Sequence, residues 1–294
     1  MLRVVLFVLT NLAIMLVLSV VAHLFGLDRW AYAHGGVNLA GLLVFCAIFG
    51  VGGSLISLMM SKTLAKMSVG AEVIAQPRSP DEKWLFETVA AHAQNAGIGM
   101  PEIAVYDAPD LNAFATGASK NHALVAVSTG LLNRMSRDEV SAVLGHEITH
   151  VANGDMVTLA LIQGVLNTFV MFLARVLGGV IDNLLQGDRD REGGFGIGYF
   201  LITLLLQAVL GVLATLIVMW FSRWREFRAD AGGARLSGRA NMISALQTLT
   251  HNHAESSLPK AVQAFGIWGE SGMARLFMSH PPIAERIAAL QRAA

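Results

Sequence analysis

Hydrophobic and polar positions alternate along this chain in large blocks. Four apolar stretches, 4–25, 37–60, 156–181 and 199–221, are each long enough to cross a hydrocarbon core about 30 Å thick, which takes about 20 helical residues. The second and fourth contain no charged residue, whereas the first carries Asn11 and His23 and the third carries Arg175. For Arg175 the expectation is a stem lying along apolar surface, with no functional role. Arg3 before the first stretch and the triplet Ala31-Tyr32-Ala33 invite comparison with a cleavable signal peptide. The stretch is too long for that, and the next follows so closely that the two read as a membrane hairpin. Lys62 and Lys66 follow the second stretch and Arg223, Arg225 and Arg228 the fourth, while 182–198 mixes four acidic residues with two arginines. By the positive-inside rule, both termini and the polar segments 62–155 and 222–294 are expected in the cytoplasm.

Neither polar segment alone makes a comfortable core, so the two are expected to build one domain together. Ser79-Pro80-Asp81-Glu82 is a capping box with proline at the first helical position, and Gly97 is placed to stop that helix. Residues 102–107 and 122–128 have the β-branched content of short strands, with Asn112–Gly117 a candidate third between them. Ser136-Arg137-Asp138-Glu139 opens a second helix, over 137–153, which Asn153-Gly154 ends.

Composition sharpens the picture. Hydrophobic residues are 54% and charged residues 14% of the chain, and mean hydropathy is +0.55, as in a membrane protein rather than a soluble one. Lys plus Arg equals Asp plus Glu at 21 each, so nothing points to a nucleic-acid partner. Cys46 is the only cysteine, which excludes an intramolecular disulfide and a thiolate zinc site. Any metal must use histidine and carboxylate.

The second helix carries such ligands. His146-Glu147-Ile148-Thr149-His150 puts two imidazoles one turn apart on one face, where both reach a single ion. Glu147 then lies beside a water that the metal activates, as general base. Zinc suits two imidazoles and one carboxylate with a fourth position open. A third ligand is therefore required, and Glu226 supplies it, with Asp230 one turn on to accept the other N–H of a ligating histidine. Taken alone, Arg225, Glu226, Arg228 and Asp230 read better as a charged helix flanking a span, and it is the need for a third ligand that reverses this. Asp155 reads as a helix N-cap in preference to a group fixing the motif helix to the third stretch; His23 and His34 lie at or near the first hairpin, and His92, His122, His251 and His253 read as surface or loop residues.

His146–His150, Glu226–Asp230 and Ser279-His280-Pro281-Pro282, in this order among the spans, resemble the HtpX-type membrane metallopeptidases, relatives of the CAAX prenyl endopeptidases. The resemblance covers essentially the whole chain. It implies a mainly α membrane protein: four transmembrane helices plus a cytosolic α+β zincin-like metallopeptidase domain. The parts are an N-terminal hairpin at 1–61, the first part of the catalytic domain at 62–155, a second hairpin at 156–221 and the second catalytic part at 222–294. It further implies a bacterial inner-membrane, stress-response endopeptidase using one zinc ion on damaged membrane proteins or unfolded polypeptides, beside other quality-control proteases. By the same resemblance His280 donates to the oxyanion, and Asn112, Ala113 and Phe114 receive an extended substrate. The residues alone leave His280 equally a helix-start histidine and 112–114 an ordinary strand. Two other readings are a small-molecule transporter, which leaves the His-Glu motif unexplained, and a catalytically silent scaffold of the same fold, which the intact Glu147 disfavours.

Overall fold

The computed structural model describes residues 39–186, 197–254 and 278–293. The expected first span, His23, His34 and most of the 182–198 loop lie outside the described residues. Three described helices are long and apolar enough to cross a membrane: Gly41–Val69, Asp155–Asp182 and Ile197–Ser237. The chain divides into two compact units, Met1–Ser57 with Ala160–Val218, and Leu58–Leu159 with Met219–Ala294.

The described part of the first unit is helical. Helix α1 (Leu39–Val69) continues past the expected end at 60, and Gly70 at φ 61° stops it. In this unit glycines let helices approach closely. A Cβ at Gly50 would lie 2.6 Å from the Thr168 nitrogen, and one at Gly164 3.1 Å from Val51 Cα. Cys46, Leu42 and Met171 form a small core flanked by Phe45 and Phe49. Arg175 departs from the surface reading. It is 6% exposed, its guanidinium carbon lies 5.6 Å from the Phe45 ring centroid, and its Nη1 donates to the Met171 carbonyl at 3.3 Å.

The second unit is α+β. Its sheet runs in the order β1 (Glu72–Val73), β2 (Glu102–Tyr106), β4 (Ala123–Ser128), β3 (Ala113–Gly117). β1 and β2 are antiparallel, β2 and β4 parallel, and β3 antiparallel to β4 with Ala115 opposite Val125. β3 is thus an edge strand, and it begins one residue after Asn112. Helix α2 (Pro80–Asn95) starts where expected, with the Ser79 side chain accepting from the Glu82 nitrogen. After the short α3 (Thr129–Arg134), α4 (Arg137–Asn153) is capped by Ser136 and Glu139 in both directions, and Gly154 at φ 68° terminates it. The αL conformation there explains why glycine follows the motif helix.

Apolar residues of α2 (Leu85, Val89), of the sheet (Ile103, Val125, Val127) and of α4 (Val140, Leu144, Ile148) share one core. Met242 and Leu246 of α7 (Arg239–Ala254) and Leu290 of α8 (Ile283–Arg292) close it. His92 belongs to this packing rather than to the surface: it is 5% exposed and its Nε2 meets the Ser141 carbonyl at 3.0 Å. Burial lowers its pKa, against the opposing pull of that carbonyl. His122 is exposed, as expected.

Two further helices differ from expectation. Helix α5 (Asp155–Gln186) follows Gly154 directly, with Asp155 inside its first turn. Helix α6 (Ile197–Ser237) runs unbroken through Glu226 and Asp230, so the second motif sits on a continuation of an apolar helix.

Candidate metal centre

Helix α4 presents His146 and His150 on one face, and α6 presents Glu226 and Asp230 one turn apart. The two helices meet through glycine. A Cβ at Gly145 would lie 3.3 Å from Gly233 Cα, one at Gly233 3.0 Å from the His146 nitrogen, and one at Gly232 2.8 Å from Thr149 Cβ. Only residues without a side chain bring backbones this near, and that nearness lets a short carboxylate reach the imidazoles.

One ligand atom from each of His146, His150 and Glu226 lies within 4.8 Å of the others, and all three residues are buried. His146 Nε2 and His150 Nε2 are 3.1 Å apart, while Glu226 lies 3.5 Å from the first and 3.3 Å from the second. Glu226 is 0% exposed, and its Oε1 has no hydrogen-bond partner. The outer nitrogens are both directed at carboxylates: His150 Nδ1 is 2.6 Å from Asp155 Oδ2, and His146 Nδ1 is 2.9 Å from Asp230 Oδ1. The Asp230 contact is near in distance but poorly aligned as a hydrogen bond. With protons on both Nδ1 atoms, two Nε2 lone pairs and a carboxylate oxygen converge with no donor among them. Three converging acceptors in a buried site fit a cation.

Burial alone would lower the His146 pKa, but the Asp230 and Glu226 carboxylates outweigh it and raise it to about 9. A proton and a metal therefore compete for this imidazole.

Asp155 is not a plain cap. It is 2% exposed and holds His150 as Asp230 holds His146, so each ligand histidine has its own carboxylate. A carboxylate five residues after the second histidine, beyond a helix break, was a local signal for this role. Arg286 was missed altogether. Its Nε and Nη2 donate to Asp230 Oδ2 and Oδ1 at 2.7 and 2.6 Å, and Nη2 lies 3.8 Å from Glu226 Oε2. Burial would lower its pKa, but Asp230 raises it, so the guanidinium stays charged inside the site.

Glu147, half-buried beside His146, accepts from the backbone N–H of Ala115 at 2.8 Å. β4 covers one side of β3, and Glu147 takes this N–H on the other. Phe114 is buried against Tyr106, with ring centroids 5.8 Å apart, and the Asn112 backbone bonds Ser128 in both directions. His280 joins the cluster, its Nδ1 2.7 Å from Glu226 Oε2, with 54% of its side chain exposed.

Fold and site together define a membrane metalloprotease class, and comparison with known proteins agrees. Peptidase family M48 matches residues 79–294. "Protease HtpX" of Xanthomonas euvesicatoria pv. vesicatoria (strain 85-10) is 60% identical over 293 residues, 99% of this chain and 97% of that protein. Its counterpart in Xanthomonas campestris pv. campestris (strain B100) is 58% identical over 291 residues, with 98% and 97% covered. The crystal structure of S. mikatae Ste24p shares the fold, with a TM-score of 0.61 at 20% identity over 92% of this chain and 66% of that one. This chain belongs to peptidase family M48. It is a membrane-bound metalloprotease, and the transporter and silent-scaffold readings are not favoured.

Proposed function

We propose that the chain is a zinc endopeptidase of the bacterial inner membrane that cleaves damaged or unfolded membrane proteins. On this reading hairpins at 1–61 and 156–221 give four spans, and 62–155 with 222–294 form one cytoplasmic catalytic domain, possession of which by the cytoplasmic side is supported by the distribution of Lys and Arg around the spans. Other quality-control proteases would share its substrates. The observation that carries the reading is the convergence of His146 Nε2, His150 Nε2 and Glu226 next to Glu147, itself bonded to the edge strand.

His146, His150 and Glu226 would hold zinc, with Asp230 and Asp155 fixing the imidazole orientations. Zinc, when bound, supplies Lewis acidity that acidifies water and polarises the scissile carbonyl. Glu147 takes a proton from the attacking water as the water oxygen bonds to the carbonyl carbon, then gives a proton to the amine nitrogen as the C–N bond breaks. The N–H of Ala115 orients that carboxylate. With Nδ1 turned to Glu226, the Nε2 of His280 is the nitrogen left for the developing oxyanion, and in the imidazolium form it donates. Asn112, Ala113 and Phe114 lead into the edge along which an extended substrate pairs by its backbone.

Pairing through main-chain groups makes few demands on side chains, so flexible segments are expected to be cut in preference to folded ones. The test incubates wild type and Glu147→Gln with an unfolded membrane protein, with and without chelator. Zinc-dependent cleavage by wild type alone is expected. Equal cleavage by both proteins, or cleavage that survives chelation, would contradict the reading.

A further inference from the structure

The segment that carries His280 is held by packing and a few side-chain contacts rather than by regular structure, with Ser279 and Pro281 buried on either side of the histidine. Met278–Pro282 has no regular structure, and Pro281 and Pro282 contribute no N–H. Helix α8 begins without a side-chain cap. Yet His280 must hold a fixed position, because an oxyanion donor works only where it is pre-placed.

Two arginines bracket the segment. Before it, Arg223, one turn ahead of Glu226 on α6, donates from Nη1 to the Met278 carbonyl at 2.9 Å. After it, Arg286 on α8 forks onto Asp230, also on α6. Both anchors thus lie on the helix that supplies Glu226, and His280 spans the gap to reach Glu226 Oε2. We propose that Arg223 and Arg286 form a clasp that pins the two ends of the 278–286 segment to α6, making them positioning residues for His280. Arg223 holds the Met278 carbonyl, two residues before His280, and its part in the clasp runs through that contact. Arg286 also touches Asp230, so it acts on the metal ligands as well.

The clasp rests on the donor role proposed for His280, and the experiment separates the two. Full-length protein with zinc is assayed for kcat and KM on an unfolded polypeptide as wild type, Arg223→Gln, Arg223→Lys, His280→Ala and Arg223→Gln/His280→Ala. Arg223→Gln is expected to lower kcat by about 10- to 100-fold, the scale of a catalytic group misplaced by about 1 Å, with KM changed less than about twofold. Arg223→Lys, which still donates to a carbonyl, recovers part of the loss. In the His280→Ala background, Arg223→Gln should cost nothing further, because the residue it positions is gone. Zinc content stays at wild-type level for Arg223→Gln, whereas Arg286→Lys weakens zinc by about 10- to 100-fold in a competition titration. An equal loss from Arg223→Gln in both backgrounds would overturn the clasp while leaving His280 its role. Wild-type activity in His280→Ala would overturn both. If Arg223→Gln fails to fold, Arg223→Lys decides by the same comparison across the two backgrounds.

Discussion

Gly232→Ala adds one methyl group where α6 crosses the metal-binding helix. That methyl would overlap the Thr149 hydroxyl and methyl and would lie 2.8 Å from Thr149 Cβ, so no rotamer of Thr149 escapes it. Thr149 is also held, since its Oγ1 donates to the Gly145 carbonyl at 2.7 Å. Ordinary contact begins at 3.4 Å, so clearing Thr149 Cβ alone parts the helices by about 0.6 Å, and clearing the nearer hydroxyl or methyl parts them further. Overpacking costs about 1–3 kcal/mol, and alanine returns about 1 kcal/mol of helix propensity, which leaves a net loss of about 0–2 kcal/mol. Function should suffer more than stability. Thr149 adjoins His150, and Gly232 lies two residues past Asp230, so the opening separates ligands from their partners; misplacement on this scale costs up to about 100-fold in rate. The assay measures zinc affinity by competition, thermal unfolding, and hydrolysis of an unfolded substrate. Gly211→Ala is the control, because nothing lies within 4 Å of a Cβ there. If Gly232→Ala matches Gly211→Ala in zinc affinity and rate, the close crossing does not set the site.

Three further expectations follow from other parts of the molecule. Asp230→Ala and Asp155→Ala should each weaken zinc by about 10- to 100-fold without abolishing it, and a competition titration showing wild-type affinity would remove the orienting role. Burial would raise the Glu139 pKa, but hydrogen bonds from Thr248, Ser244 and Ser136 outweigh it and hold it at about 2. Because the folded value is depressed, this stabilisation is present above the ordinary value of 4.5 and disappears as pH falls toward 2. Glu139→Gln should therefore flatten the acid limb of a stability-against-pH curve, and an unchanged limb would refute the assignment. A reporter fused after Ala294 should read cytoplasmic and one inserted near Gly187 external, and the reverse pattern would invert the proposed orientation.

What could be read from residues alone was whatever local chemistry encodes. Ser79 and Ser136 with glutamate three residues on, and Gly154 after the motif, marked helix ends because capping uses near neighbours. The His-Glu-x-x-His spacing put two nitrogens on one face for the same reason. The two-residue β1 had too little pattern to see, and it exists only by pairing with β2. His92 and Arg175 looked peripheral because their partners, Ser141 and Phe45, are 49 and 130 positions away in the chain. Arg286 stayed hidden for the same reason, since it stands 56 residues from Asp230 and only the folded α7–α8 packing brings it there. Asp155 was misjudged from a local rule, because the αL turn at Gly154 swings its carboxylate back onto His150.

The central claim concerns where the metal sits. Anomalous diffraction at the zinc edge from crystals of zinc-loaded Glu147→Gln, which keeps every ligand, locates the ion directly. The account predicts one zinc per chain at about 2.0–2.1 Å from the Nε2 atoms of His146 and His150 and about 2.0–2.2 Å from a Glu226 oxygen. Zinc bound elsewhere, or a site there completed without Glu226, would contradict it.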